Sequence, residues 1–359
     1  NVNHVGDRGR PVPSRLAAED ELTRLVGAMG EMGRGILELT IGGTRPDRIA
    51  EIDRFAELAR AGRRPVTMVS LRHNPSNPDE HREILARIDA LHREGVPVYP
   101  QVTCSPLTVM FDLTGPFVFY RFPVWRRVLE APPSEWRAIF LDPGFRADFR
   151  STVGRTPLFR GDIAPLRVKA VRTPAYARFV CRPITDVAAA MGCDVIDAFF
   201  DLALAEDLKT EFTAAVMNTD AQAVAEIFTH PRSLVGLSDA GAHLTLFCEA
   251  GQTSRFLGHW VRERKALSLE EAVRRITSMP ADLFGIPDRG RLAPGLAADI
   301  VVFDPATITE HEPELVHDLP DGGPRLVQRA SGIQWSFVNG QPVIRDGRIP
   351  SSPDGPAPG

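Results

Sequence analysis

The sequence predicts an α/β protein built on a parallel sheet, and three observations predict it. Short apolar runs recur at 35–41 (GILELTI), 65–71 (PVTMVSL), 96–104 (VPVYPQVTC) and 234–237 (LVGL). Amphipathic segments of helical period separate the first three, and strands alternating with helices form right-handed βαβ units. The last run is apolar throughout, as a strand covered on both faces is.

In chain order, residues 1–18 read as a loop, with Gly6, Gly9, Pro11 and Pro13 among charges. Residues 19–32 carry Leu22, Leu25, Val26 and Met29 at helical spacing. A helix over 47–61 follows the first strand, with Ile49, Ile52, Phe55, Ala56 and Leu58 for its inner side, and another spans 79–94. From 105 to 183 the alternation breaks. Prolines recur there among Phe111, Phe117, Phe119, Tyr120, Phe122, Trp125, Trp136 and Phe140. A stretch so apolar is an ordered insertion rather than a linker, and its roots place it as a lid beside the carboxyl ends of the strands. Helices resume at 186–191, 194–208 and 220–229, and again at 252–265 and 268–278. Beyond Asp304 the chain reads as loop-rich, with one hairpin, 334–338 and 342–345, turning on Asn339-Gly340. The expected division is a barrel part over 1–285 with an insertion at about 105–185, a C-terminal β portion over 286–349, and a Pro/Gly/Ser tail over 350–359. Four parallel strands cannot close a sheet, so the strand at 35–41 should lie at an open edge.

Of the 359 residues, 43% are hydrophobic and 25% charged, ordinary for a globular protein with a sizeable core. A net charge of −4 gives no reason to expect nucleic acid or an anionic membrane as partner. No apolar run is long enough to span a bilayer and no signal-peptide core stands at the amino terminus. The four cysteines, Cys104, Cys181, Cys193 and Cys248, form no CxxC pair, so reduced thiols and a cytoplasmic location are expected. Asn1 in place of Met suggests a trimmed or partial product.

The run from Ser233 to Asp304 carries the most specific signal. Its strand ends at Ser238-Asp239, and Ala240-Gly241-Ala242 leads to His243. Thr277, Pro280-Ala281, Asp288-Arg289-Gly290, Pro294-Gly295, Ala298-Asp299 and Phe303-Asp304 follow in order. This series resembles the amidohydrolase superfamily, in particular its D-aminoacylase (N-acyl-D-amino-acid deacylase) branch. The resemblance implies a (β/α)₈ barrel of TIM type with a small β-sandwich, hydrolysing non-peptide C–N bonds with Zn²⁺ or another divalent metal. The strands visible here would be the C-terminal ones of that barrel, with the N-terminal part missing. The implied partner is a small-molecule amide, and oligomer formation is left open.

By that resemblance Asp239 is the last-strand aspartate, which binds metal and takes a proton from the attacking water. Its plainer reading is an N-cap for the helix that follows. His243, four residues on, can bind metal, donate to an oxyanion, or cap a loop. The family's first-strand His-x-His is absent, and Thr40 and Leu71 fall where its middle-strand histidines would stand. His73 and Glu38 are substitute ligands; otherwise His73 is a loop histidine, and an inward Glu38 needs an arginine or a metal. Arg72, Arg121 and Arg126 are candidates for a substrate carboxylate, since Leu244 to Gly251 holds no arginine. Cys104 and Cys248 follow strand ends and can reach the mouth, or be inert buried thiols. Three activities stay open: a metal-dependent deacylase, a barrel whose degenerate metal site serves binding or assembly, and a metal-free hydrolase using Asp239 and His243.

Overall fold

The computed structural model describes residues 10–42, 45–120, 122–153, 163, 165–238, 240–241 and 244–349. Asp239, His243, Arg121 and the tail over 350–359 lie outside the described residues.

The chain opens with α1 (Glu19–Met32), whose first turn holds Glu19, Asp20 and Glu21 against the positive end of the helix dipole. Gly33, at φ 63°, ends it in the left-handed conformation glycine favours. There follow β1 (Leu37–Thr40), α2 (Arg45–Gly62), β2 (Val66–Leu71), α3 (Glu80–Arg93) and β3 (Val98–Val102). These elements agree with the sequence expectation to within a few residues.

Next come β4 (Leu107–Phe111), α4 (Arg126–Glu130), α5 (Trp136–Leu141), α6 (Pro143–Val153), β5 (Arg167–Ala170), α7 (Ile184–Met191), α8 (Val195–Ala205) and β6 (Glu211–Met217). Then α9 (Ala221–Thr229) leads to the short β7 (Leu234–Val235). α10 (Gln252–Arg255) runs on as a π-helical stretch, Phe256–Glu263, before α11 (Leu269–Ile276) and α12 (Ser278–Phe284). Side chains start three of these helices. Asp194 caps Ile196 and Asp197, Asp220 caps Ala223, and Ser268 caps Glu271.

β1, β2, β3 and β7 form one parallel sheet in that order. β1 therefore lies at its edge, as the strand count predicted. Leu37 and Leu39 of β1, Val66 and Met68 of β2, and Val98 and Val102 of β3 share one core. Ile52, Phe55, Ile84 and Ile88 cover them from α2 and α3, joined by Phe228, Phe256 and Trp260. The opposite side is polar. Glu38 and Thr40 are exposed there, and Gln101 donates to Glu38 Oε2 and, at 3.1 Å, to Thr67 Oγ1. Glu38 thus finds an amide partner on an open face rather than an arginine in a closed one.

The segment from β4 to β6 has a core of its own. Its three strands pair antiparallel in the order β4-β6-β5. Behind them stand Phe119, Trp125, Phe140, Phe145, Phe149, Phe199 and Phe200, all essentially without solvent contact. α7 and α8, which the sequence placed after the insertion, pack into this same core. Both ends of the segment reach the carboxyl ends of the parallel strands. Asn218 Nδ2 donates to the Thr103 and Ser105 carbonyls at 3.3 and 3.1 Å, and Asn218 exchanges two further bonds with the His73 backbone. Phe119 and Trp125 are interior to the insertion.

The C-terminal region is richer in strands than expected. β8 (Ile300–Phe303), β9 (Thr309–Glu310), β10 (Glu314–Leu319), β11 (Gly323–Val327), β12 (Ala330–Ser331), β13 (Ile333–Val338) and β14 (Gln341–Ile344) form three antiparallel groups. β13 and β14 are the expected hairpin, with Asn339 at φ 49° and Gly340 at φ 77° in its turn. β10 and β11 form a second hairpin over Pro320, Asp321 and Gly322, where a loop was expected. The C-terminal region meets the helix that follows β7 at two glycines. A Cβ on Gly258 would overlap the Ile308 carbonyl oxygen, and one on Gly251 would sit 2.6 Å from Glu310 Cβ.

Candidate functional site

The carboxyl ends of β2, β3 and β7 hold a buried polar network. Arg72, just past β2, is 7% exposed and donates through Nη1 to Glu249 Oε1 at 3.0 Å and through Nε to Ser70 Oγ at 2.9 Å. Thr103, just past β3, donates to Glu249 Oε2 at 2.6 Å and accepts from Ser105 N. Glu249 N in turn donates to the Ser238 carbonyl at 3.1 Å. The Gln252 amide takes the orientation in which its nitrogen donates to Thr103 Oγ1, at 2.8 Å, and to the Leu237 carbonyl. Its oxygen then accepts from Gly236 N and Leu237 N at 3.2 and 3.1 Å. Arg72, Thr103, Glu249 and Gln252 are buried, and each is answered, as low-dielectric surroundings require.

Among the residues singled out from sequence, the structure joins Arg72 to this network, with the carboxylate partner supplied by the protein itself. Cys104 lies beside it, its Sγ donating to the Gln252 carbonyl at 3.4 Å, and complete burial pushes the thiol up to about 12. Arg126 is elsewhere: it is exposed on α4, in a cleft lined by residues 126–139. Leu71 is buried in the apolar core and Thr40 is exposed. Glu249, Thr103, Gln252 and Asn218 were missed. They sit in loops or at a helix start, where no periodicity marks them.

His73 is buried, 5.9 Å from His81 between ring centroids and set edge-on to it. His81 Nε2 lies 3.2 Å from Glu226 Oε2, a carboxylate that Arg82 also binds. Among the described residues, the Nδ1 atoms of both histidines find no hydrogen-bond partner. Burial lowers the His73 pKa; Asp220 opposes this, while His81 and Arg82 add to it. An imidazole whose pKa falls on folding leaves the unfolded chain binding more protons in acid. The stability from neutral His73 is therefore present above the ordinary value of about 6.5 and drains as pH falls through it. We expect His73→Gln to flatten the rise in unfolding free energy between about pH 5 and about pH 7.5, measured by urea denaturation. Equal slopes in variant and wild type would contradict this.

A cleft of about 400 Å³ opens beside the network, between the insertion sheet and the C-terminal strands. Lys169, Cys248, Glu249, Arg255 and Glu310 line it, and Arg255 pairs with Glu310 at 2.6 Å. The loop after β7 runs along the edges of both units. Met110 N donates to the Leu246 carbonyl and Leu326 N to the Leu244 carbonyl, each at 2.6 Å. Among the described residues, no three of His, Cys, Asp and Glu converge so as to hold a metal ion. No helix is long and apolar enough to cross a membrane, again among the described residues.

The ends of the strands of a parallel βα sheet, where polar groups gather here, are where α/β enzymes place their sites. Residues 166–349, just over half of the chain, match the description "Amidohydrolase family", and the chain belongs to that family. An N-acyl-D-glutamate deacylase of Alcaligenes xylosoxydans xylosoxydans is 36% identical over 177 residues, covering 46% of this chain and 32% of that protein. A D-aminoacylase of the same organism is 40% identical over 96 residues, 27% of this chain and 18% of the relative. Among solved structures, an N-acyl-D-glutamate deacylase from Bordetella bronchiseptica, complexed with zinc and a phosphonate inhibitor, superposes with a TM-score of 0.56 at 25% identity. The match covers 94% of this chain and 59% of that one. A D-aminoacylase crystal structure, at 20% identity and a TM-score of 0.57, shares the fold over 95% of this chain and 59% of its own. The chain thus spans about a third of the first curated relative and about three-fifths of the solved ones.

Proposed function

We propose that this protein is a hydrolase of non-peptide C–N bonds, acting on N-acyl amino acids as its deacylase relatives do. The observation that carries this reading is the family match over 166–349, which includes the Ser238-Asp239 strand end and the motifs down to Asp304. Asp239 is the group assigned to the chemistry: its carboxylate accepts a proton as water adds to the amide carbon and returns one to the leaving amine. His243, four residues on in the sequence, is assigned to donate to the developing oxyanion. Zinc is bound in the Bordetella relative, but the described residues here offer no three-donor set to keep such an ion. Metal dependence comes to this protein as a proposal from that likeness.

In this reading the parallel sheet is part of a (β/α)₈ barrel over 1–285, interrupted at about 105–185, and residues 286–349 are part of a β-sandwich. The protein works in the cytoplasm on a small amide and does not bind nucleic acid or membrane. A second reading, a barrel serving binding or assembly, is favoured by Leu71 in the core and Thr40 on the open face, where the resemblance would put histidines. The test is hydrolysis of N-acyl derivatives of D-glutamate, D-aspartate and apolar D-amino acids, with elemental analysis of the purified protein. Turnover of any of them supports the hydrolase. No turnover and no bound metal would transfer the assignment to the second reading.

A further inference from the structure

We infer that the cleft between the insertion and the β10–β11 hairpin binds an amphiphilic carboxylate, an apolar chain of medium length that ends in a single negative charge. The cleft has a volume of about 830 Å³. Small-molecule sites occupy about 300–1,000 Å³. One wall is the hairpin. Leu315 stands opposite Leu326 across it, and His317 and Pro324, which also line the cleft, continue the same face. Met110 and Phe111, at the end of β4, line the cleft from the insertion. Leu244 and Leu246 bridge the two sides, since their carbonyls accept from Leu326 N and Met110 N. Leu244 is 48% exposed and Leu315 36%. Apolar surface left open along a concave wall is surface that a ligand chain can cover.

The charges around the cleft leave one cation over. Arg172 pairs with Glu211 at 3.1 Å, and Asp207 pairs with Arg137 at 3.1 Å. Glu206 is buried and accepts from the Arg172 and Thr173 amides. Asp112 accepts from the Thr114 and Gly115 amides. Among the described residues, the Lys209 ammonium, also in the lining, has no such partner. Its backbone is fixed all the same. Lys209 N donates to the Glu206 carbonyl at 3.1 Å, and Asp207 and Leu208 between them sit at φ 53° and 67°. A buried leucine is uncommon in the left-handed region, and such strain recurs at ligand clamps. An apolar wall with one unmatched ammonium at its rim suits a monoanion carried on a chain. An N-acyl amino acid has that chemistry, and so has the acid that its deacylation releases. The inference concerns binding alone and stands without the hydrolase reading.

The test uses the full chain and follows displacement of the fluorescent probe dansyl-undecanoate by decanoate, octanoate, decanol and N-decanoylglycine. Decanoate should bind about tenfold more tightly than octanoate, because two more methylenes leave water. Leu315→Glu puts a charge on the apolar wall and should weaken every ligand at least about tenfold. Its thermal midpoint should stay within about 2 °C, because the side chain is partly exposed. Leu244→Glu should act alike, and it carries the test if Leu315→Glu does not fold. Lys209→Gln should weaken decanoate and N-decanoylglycine at least about fivefold and leave decanol within about twofold. Tighter binding of N-decanoylglycine than of decanoate names an acylated amino acid as occupant, and the reverse order names the free acid; either supports the site. No saturable probe binding below about 1 mM overturns the inference. So does binding that both glutamate variants leave unchanged. Equal weakening of decanol and decanoate by Lys209→Gln overturns the carboxylate assignment. Sedimentation at rising protein concentration covers the remaining case: self-association abolished by Leu315→Glu would give the cleft to a second copy of the chain and overturn the inference as well.

Discussion

Replacing Asp239 by asparagine is expected to abolish most turnover while leaving the fold in place. Asn keeps the size of the side chain and can still cap a helix, but it cannot accept a proton at working pH. General base catalysis contributes roughly 10²–10⁴ in rate, so kcat on the best N-acyl-D-amino-acid substrate should fall at least about a hundredfold. The thermal midpoint should move by no more than about 2 °C, as for a cap that has been conserved in kind. The measurement is a pair, steady-state kinetics and a melt, for wild type and variant. Activity within a few-fold of an active wild type would exclude the proton-transfer role. A melt lowered together with activity would point instead to a structural aspartate.

The second large effect concerns the insertion. Trp125 has no solvent contact, and the rings of Phe119, Phe140, Phe145 and Phe149 lie 4.6, 5.6, 5.6 and 5.5 Å from its own. Trp125→Ala removes the centre of this cluster, and truncations of that kind cost about 3–5 kcal/mol. Trp125→Phe should be far milder. The indole Nε1 is buried with no hydrogen-bond partner among the described residues, so replacing it removes an unsatisfied donor along with the lost volume. Urea denaturation of both variants checks the ordering. A loss for Trp125→Ala below about 1 kcal/mol would mean that the aromatic core is not what holds the insertion together. The two cores make the effect separable. Ile52, Phe55 and Met68 belong to the other one, so hydrogen exchange in α2 should respond less than in α8.

What could be read in advance follows the range of the interaction. α1, α2, α3 and the strands between them were legible because their apolar residues keep one period over many residues and charged or glycine stops bound them. β13 and β14 were legible because Asn339-Gly340 dictates its turn. The insertion sheet was not. Val168 opposes Phe212, and Val109 opposes Ala214, across separations that leave no local trace in the sequence. The hairpin of β10 and β11 was overlooked although Pro320-Asp321-Gly322 is turn chemistry, because Glu314, His317 and Asp318 make its first arm look like solvated loop. At the candidate site, Arg72 drew attention as an arginine past a strand end. Its partner is 177 residues away at Glu249, between Cys248 and Ala250, and only folding brings the two carboxylate oxygens to Arg72 and Thr103.

The two glycines where the helix after β7 meets the C-terminal strands bear on how the parts of this protein can be inherited. At Gly258 and Gly251 the fit depends on missing atoms, with the Ile308 carbonyl and the Glu310 side chain occupying the space a Cβ would need. Gly251 N also donates to Gln328 Oε1 at 2.7 Å, so the backbone itself reads the opposite surface. Such a joint does not transfer freely between proteins. A C-terminal region grafted from a relative would seat here only if its strands leave the same two hollows filled by backbone and stem, and a helix carrying alanine at either position would refuse the native one. The regions on the two sides of this seam are therefore bound to change together, each residue at 308 or 310 constrained by a side chain that is not there.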